Sequence, residues 1–182
     1  MPAARSCAWL LITMAESGKD NPVEARKAAE IMPASELEQY LYDHIPLSRA
    51  MQVSVMQVRH DAVVLSAPLA PNINHRETVF GGSASAIAIL AAWSLLHARL
   101  RSLNMSSRLV IQRNTMRYEL PIAGTFTARS SIPSEAAWAS FIRMLRRRGR
   151  ARIAVSSVLE YAGQPVGQFE GDFVALGAEE AV

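Results

Sequence analysis

Cysteine is almost absent: Cys7 is the only one in 182 residues. One thiol closes no disulfide within the chain and makes no cysteine zinc site. That usage suits a reducing compartment, and a cytoplasmic location is the expectation. Lysine is nearly as scarce, since Lys19 and Lys27 are the only lysines among 19 basic residues. The net charge of +3 suits an anionic ligand or partner, and an arginine-rich composition with no ligand behind it explains it equally well. The four histidines are scattered without metal-ligand spacing, so no metal site and no cofactor are expected. No helix-turn-helix pattern, internal repeat or low-complexity segment is present. The basic run RRRGR (146–150) has no interleaved aromatic residues, so nucleic acid is not an expected partner. A phosphate clamp, a dock for an acidic carrier protein and a solvated helix face remain open for that run.

Long apolar runs are missing too. CAWLLITMA (7–15) is too short to span a bilayer, and no convincing small-x-small cleavage site follows it. The other candidate, 84–96, reads as a buried helix, so no membrane is expected as a partner. Residues 1–34 lack sustained periodicity and are expected to form a poorly ordered extension, with one short helix over 23–31 and Met14 a candidate initiator. Residues 35–178 form the single domain, long enough for a sizeable core.

Ser35-Glu36-Leu37-Glu38 has the form of a capping box, followed by Leu37, Tyr40 and Leu41 on one helical face. Pro46 ends that helix or opens the next turn. Strands are expected at 51–59 and 62–67, joined at Arg59-His60-Asp61. A helix follows over 82–103, apolar on every face in its first half and emerging into water at Arg99 and Arg101. Strands over 107–119 and 125–131 precede a second helix, 135–148. Its Trp138, Phe141, Ile142 and Leu145 make a buried stripe, and Gly149 stops it. Strands at 150–161 and 166–176 close the chain, with AGQP (162–165) as their turn. The class is α+β: an antiparallel sheet wrapped around one long buried central helix, with a second helix inserted between later strands.

The chemistry concentrates in NINHRETVFGGSASAIAIL (72–90), where a polar loop runs through Phe80 into a glycine pair and the apolar helix. This stretch, with SRAM (48–51), LVIQR (109–113), RYELP (117–121) and FIRMLRRRGRARI (141–153), resembles the hotdog-fold thioesterase domain at the C-terminus of YiiD-type proteins. The resemblance covers roughly 35–176. Two-domain relatives carry an acetyltransferase-type domain upstream, for which this length leaves no room.

The resemblance implies a thioester hydrolase for acyl groups carried by coenzyme A or acyl carrier protein, acting as a homodimer or higher homo-oligomer paired through sheet edges. The first amides of a buried helix have no partner inside it, and the macrodipole adds positive potential there. The amides of Gly82 and Ser83 are therefore the expected holders of the thioester oxygen, with glycine allowing close approach. Asn74 is expected to orient water, and His75 to act as base. Asn72, Thr78, Phe80, Gly81, Arg113 and Tyr118 are the expected substrate contacts. A Ser83–His75 nucleophilic pair lacks a third member. A tight turn requiring glycine, and a loop held by its own hydrogen bonds, are the structural alternatives.

In several hotdog thioesterase families an acidic residue sits about two turns into the central helix. Here Ile89, Leu90 and Ala91 occupy that neighbourhood. That departure counts against a hydroxyacyl dehydratase and keeps a non-catalytic acyl-CoA-binding module as the alternative.

Overall fold

The computed structural model describes residues 30–177. The apolar run at 7–15 and most of the helix expected over 23–31 lie outside the described residues. Glu30 and Ile31, the end of that expected helix, are extended instead: the Ile31 amide donates to the Val58 carbonyl (3.2 Å), and Glu30 bridges Arg59.

Helix α1 (Ala34–His44) begins two residues earlier than a Ser35 cap requires. The Pro33 carbonyl accepts from the amides of Glu36 and Leu37, and no side chain caps the helix. Glu38, the expected partner in a capping box, accepts instead from the amide of Val55 (2.8 Å). The capping box is therefore not formed; Glu38 ties the helix to the sheet edge. Pro46 opens the short helix α2 (Pro46–Ala50), where its missing N–H costs nothing.

The strands are β1 (Ser54–Val58), β2 (Ala62–Ala67), β3 (Ser107–Tyr118), β4 (Phe126–Ser131), β5 (Arg150–Tyr161) and β6 (Gln164–Gly177). They form one antiparallel sheet in the order β1-β2-β4-β5-β6-β3. The β5–β6 turn is tighter than the four residues AGQP. Ala162 (φ 50°) and Gly163 (φ 75°) make it alone, and Gln164 and Pro165 already pair with β5.

The sheet curls around α3 (Gly81–Ser102), which packs on β2, β4, β5, β3 and β6. Ile87, Leu95 and Leu96 are fully shielded, each side chain contributing about 1.5–3 kcal/mol by burial. Ala86, Ile89 and Trp93 are only half-buried, because β1 and β3 do not meet over that side of the helix. The first half of α3 is thus covered on all but one stripe.

Arg99 does not mark an emergence into water. It is 1% exposed, and its guanidinium donates to both carboxylate oxygens of Glu135 (3.1 and 2.9 Å) and to the carbonyl of His60 (2.8 Å). Its Cζ lies 4.3 Å from the ring centroid of Trp138. Only Arg101 reaches the surface there, paired with Glu36 at 3.2 Å.

Helix α4 (Glu135–Arg148) follows its sequence pattern closely. Ser134 accepts from the Ala137 amide, and Trp138, Phe141, Ile142 and Leu145 are buried. Gly149 closes the helix in the left-handed region (φ 66°). Arg146, Arg147 and Arg148 occupy the last turn, where a cation complements the helix dipole.

Candidate functional site

The loop before α3 is built from its own hydrogen bonds. Asn72 ends a single 3-10 turn (Ala70–Asn72) and is 1% exposed. Its side-chain amide donates to the carbonyls of Met51 (3.0 Å) and Pro68 (2.8 Å), and its own carbonyl accepts from Phe80 (2.7 Å). Asn72 is therefore a buried clamp between Met51, Pro68 and Phe80.

Asn74 organises the next turn. Its amide donates to Thr78 Oγ1 (3.0 Å) and the Val79 carbonyl (3.2 Å), and its Oδ1 accepts from the Arg76 amide (2.7 Å). The side chains of Asn74 and Thr78 are thus engaged within the loop. Glu77 sits at φ 61° so that its amide can reach the Asn74 carbonyl (3.2 Å). His75 projects from this turn into solvent, and among the described residues no hydrogen bond holds its ring. The loop returns to the fold at Val79, whose amide donates to Ile122 (2.8 Å).

Helix α3 then starts with no side-chain cap. The first internal bond is from the Ala84 amide to the Phe80 carbonyl (3.0 Å). The amides of Gly81, Gly82 and Ser83 precede it, and among the described residues none has an acceptor. Three donors and the positive end of a 22-residue helix therefore point out of the same spot.

Sterics bear on Gly82 more than on Gly81. A Cβ on Gly82 would lie 2.2 Å from Phe80 Cε1, and one on Gly81 would touch the Tyr118 ring at 3.4 Å. The room left by Gly82 is filled by the ring of Phe80, itself 57% exposed. Tyr118, at the end of β3, donates its hydroxyl to the Gly81 carbonyl (3.0 Å). It thereby brackets the helix start from the opposite side of the glycine pair.

Beside this helix end lies a recess of about 330 Å³. Gly81, Tyr118, Glu119, Leu120 and Ile122 contribute to its wall. Glu119 is the residue sequence reasoning overlooked. It follows Tyr118 in RYELP, and the strand end at Tyr118 was the available signal. Arg113 is not brought here. It follows a bulge in β3, is exposed, and pairs with Asp172 of β6 (2.9 Å).

The arrangement suits a ligand carbonyl at the helix end, with the exposed loop on one side and the Tyr118–Glu119 recess on the other. Comparison with known proteins places the chain among thioesterase-type proteins. The family model described as "Putative thioesterase (yiiD_Cterm)" matches residues 34–177. A protein of unknown function from Chlorobaculum tepidum superposes with a TM-score of 0.76 at 29% identity, over 79% of this chain and 94% of that one. A Shewanella oneidensis protein solved as a "putative thioesterase" gives 0.70 at 27% identity, over 79% and 96%. A Haemophilus influenzae thioesterase shares the fold at 12% identity, with a TM-score of 0.65 over 82% and 94%. The chain belongs to the YiiD C-terminal family of thioesterase-type proteins, on a hotdog fold.

Proposed function

We propose that this protein hydrolyses acyl thioesters, carried by coenzyme A or by acyl carrier protein, at the N-terminus of α3. The observation that carries the reading is the uncapped helix end, with the amides of Gly82 and Ser83 unpartnered at an accessible surface. An oxyanion needs preorganised donors of this kind, and such a donor is worth about 10²–10³ in rate.

In the proposed reaction, water attacks the carbonyl carbon and passes a proton to the base. The tetrahedral oxyanion rests on the two amides. Its collapse breaks the C–S bond, and the leaving thiolate takes the proton. His75 is the proposed base because it is the exposed imidazole of the loop that leads into α3. Asn74 acts by holding the turn that carries His75. Glu119 is the carboxylate within the adjoining recess, and Phe80 and Tyr118 flank the acyl carrier's approach.

A homodimer belongs to the same proposal. Strand β3 is 12 residues long and pairs only with β6, leaving its other edge open among the described residues. Ile73, Phe80, Tyr118 and Leu120 are each about half exposed around the helix end.

The second reading is a non-catalytic acyl-thioester binder, favoured by the lack of any Asp or Glu along α3. Release of free thiol from acyl-CoA and acyl-carrier-protein thioesters separates the two readings. Turnover that falls with His75→Ala or Glu119→Gln identifies the base. Binding without turnover on either carrier selects the binder.

A further inference from the structure

The half-buried stripe of α3 faces a groove of about 280 Å³. Its walls are Ala86, Ile89 and Leu90 of α3, Leu47 and Met51 from α2 and its end, and Ile111 of β3. Nearly all of this surface is carbon. Ser83, Ala86, Leu90 and Trp93 are spaced three, seven and ten residues along one side of the helix. The groove therefore begins at Ala86, one turn along α3 from Ser83, on the side of the helix that the Ser83 side chain shares.

Trp93 ends the apolar track. Its indole N–H donates to the Leu109 carbonyl (3.4 Å), and its ring stacks on His97 at 4.7 Å between centroids. Tyr40 packs on His97 from α1 at 4.5 Å, and His44 stacks on Tyr40 at 4.1 Å. Beyond this wall the lining changes. A recess of about 610 Å³ is bordered by Arg101, Asn104, Ser106, Ser107 and Arg108. Burial lowers the His97 pKa to about 4, with Arg101 and His44 adding to the effect. Methylene groups gain by burial up to Trp93 and lose that gain past it.

We propose that the groove is the acyl-chain channel and that Trp93 sets its length, making the preferred substrate a straight, medium-chain acyl thioester. The inference rests on the proposed thioester position at Gly82 and Ser83. The rise from Ser83 to Trp93 is about 15 Å, which holds an extended chain of roughly ten to twelve carbons. Longer chains must push against the stacked rings, and shorter ones leave apolar wall in contact with water. Each methylene that enters the groove is worth about 0.8 kcal/mol, so selectivity builds up carbon by carbon.

The test pairs hydrolysis with binding. Rates on C4 to C16 acyl-CoAs are measured for the natural sequence, Ala86→Phe and Trp93→Leu. Affinities for the matching alkyl-CoA thioethers, which cannot be hydrolysed, are measured by calorimetry. The expected result is an optimum near C10–C12. Ala86→Phe should lower the C12-to-C4 ratio tenfold or more, and Trp93→Leu should move the optimum to longer chains. Hydrolysis with a ratio unchanged in both variants overturns the channel and leaves the hydrolase standing. No hydrolysis, with thioether affinity rising toward C12 and lost in Ala86→Phe, keeps the channel and removes the hydrolase. Thioether binding independent of chain length overturns the channel whatever the rates. Ala86→Phe converting a dimer to a monomer with the ratio unchanged assigns the groove to a second copy of the chain and also overturns it.

Discussion

The two ends of α3 solve the same problem in opposite ways. At the C-terminal end Arg99 is wholly enclosed, and Glu135, the His60 carbonyl and the Trp138 ring surround its guanidinium. At the N-terminal end the amides of Gly81, Gly82 and Ser83 have no partner among the described residues, and the rings of Phe80 and Tyr118 stand beside them. A charge enclosed and paired fixes one end of the helix against α4. Donors left uncapped keep the other end available. The contrast separates residues that hold the helix from residues that use it.

Removing a donor at the open end gives the largest expected effect. Ser83→Pro deletes one amide N–H in the first helical turn, where proline is tolerated. Under the proposed mechanism kcat should fall about 10²- to 10³-fold while the melting temperature changes little. A variant that keeps full rate would remove the helix end from the chemistry.

Breaking the closed end should do the reverse. Arg99→Met strips Glu135 and the His60 carbonyl of their shared donor, and a loss of about 3 kcal/mol is expected in urea unfolding. The half exposure of Glu135, 49% at its side chain, lets water take part of the burden and keeps the loss near the low end. Turnover per folded molecule should be nearly unchanged. A large rate defect in fully folded Arg99→Met would erase the distinction between the ends.

Asn74→Ala sits between these cases. It removes the donor to Thr78 and Val79 and the acceptor for Arg76, at an expected cost of about 1–2 kcal/mol. Because it acts through the loop that carries His75, the rate should fall with the pH profile keeping its shape. A displaced pH midpoint would show that Asn74 meets the reacting atoms directly.

The smallest effect concerns pH and the far wall of the groove. His97 has a folded pKa near 4, below its ordinary value of 6.5, so the unfolded chain binds a proton that the folded one does not. Its contribution is present above pH 6.5 and is lost as pH falls through 4. His44 on α1 and Arg101 on α3 face it with like charge, and Glu36 offsets Arg101. Stability measured from pH 7 to 4 should decline less steeply in His97→Phe than in the natural sequence. Equal slopes would assign the acid sensitivity elsewhere.

Much of this arrangement can be read in the residues themselves. The stripe of α4, its Ser134 start and its Gly149 stop are local, and local rules reproduce them. The apolar run after Gly81 announces a buried helix because nothing else in the chain is so uniformly nonpolar. What escapes a linear reading depends on distant partners. Arg99 looks like a surface residue until Glu135, 36 positions on, is folded against it. Ser35 and Glu38 match a capping box, but an edge strand 17 positions away competes successfully for the carboxylate. Nothing in the loop sequence announces that Asn72 is buried with its amide on the carbonyls of Met51 and Pro68. Glu119 carries no signal alone, and only the end of β3 beside Gly81 gives it meaning. The single uncovered stripe on α3 is likewise invisible in a sequence whose every helical face is apolar.

The strand order has a bearing on how the chain is made. Strand β3 pairs only with β6, so Ser107 meets Gly177 and Tyr118 meets Gly167. During synthesis α3 leaves the ribosome about 60 residues before the strand that joins β3 to the rest of the sheet. At 5–20 residues per second, β6 follows several seconds behind a 22-residue helix that is apolar enough by composition to cross a membrane. Strands β2, β4 and β5, which supply most of that helix's cover, are made before β6, so β3 and its side of the helix wait longest for their place in the fold.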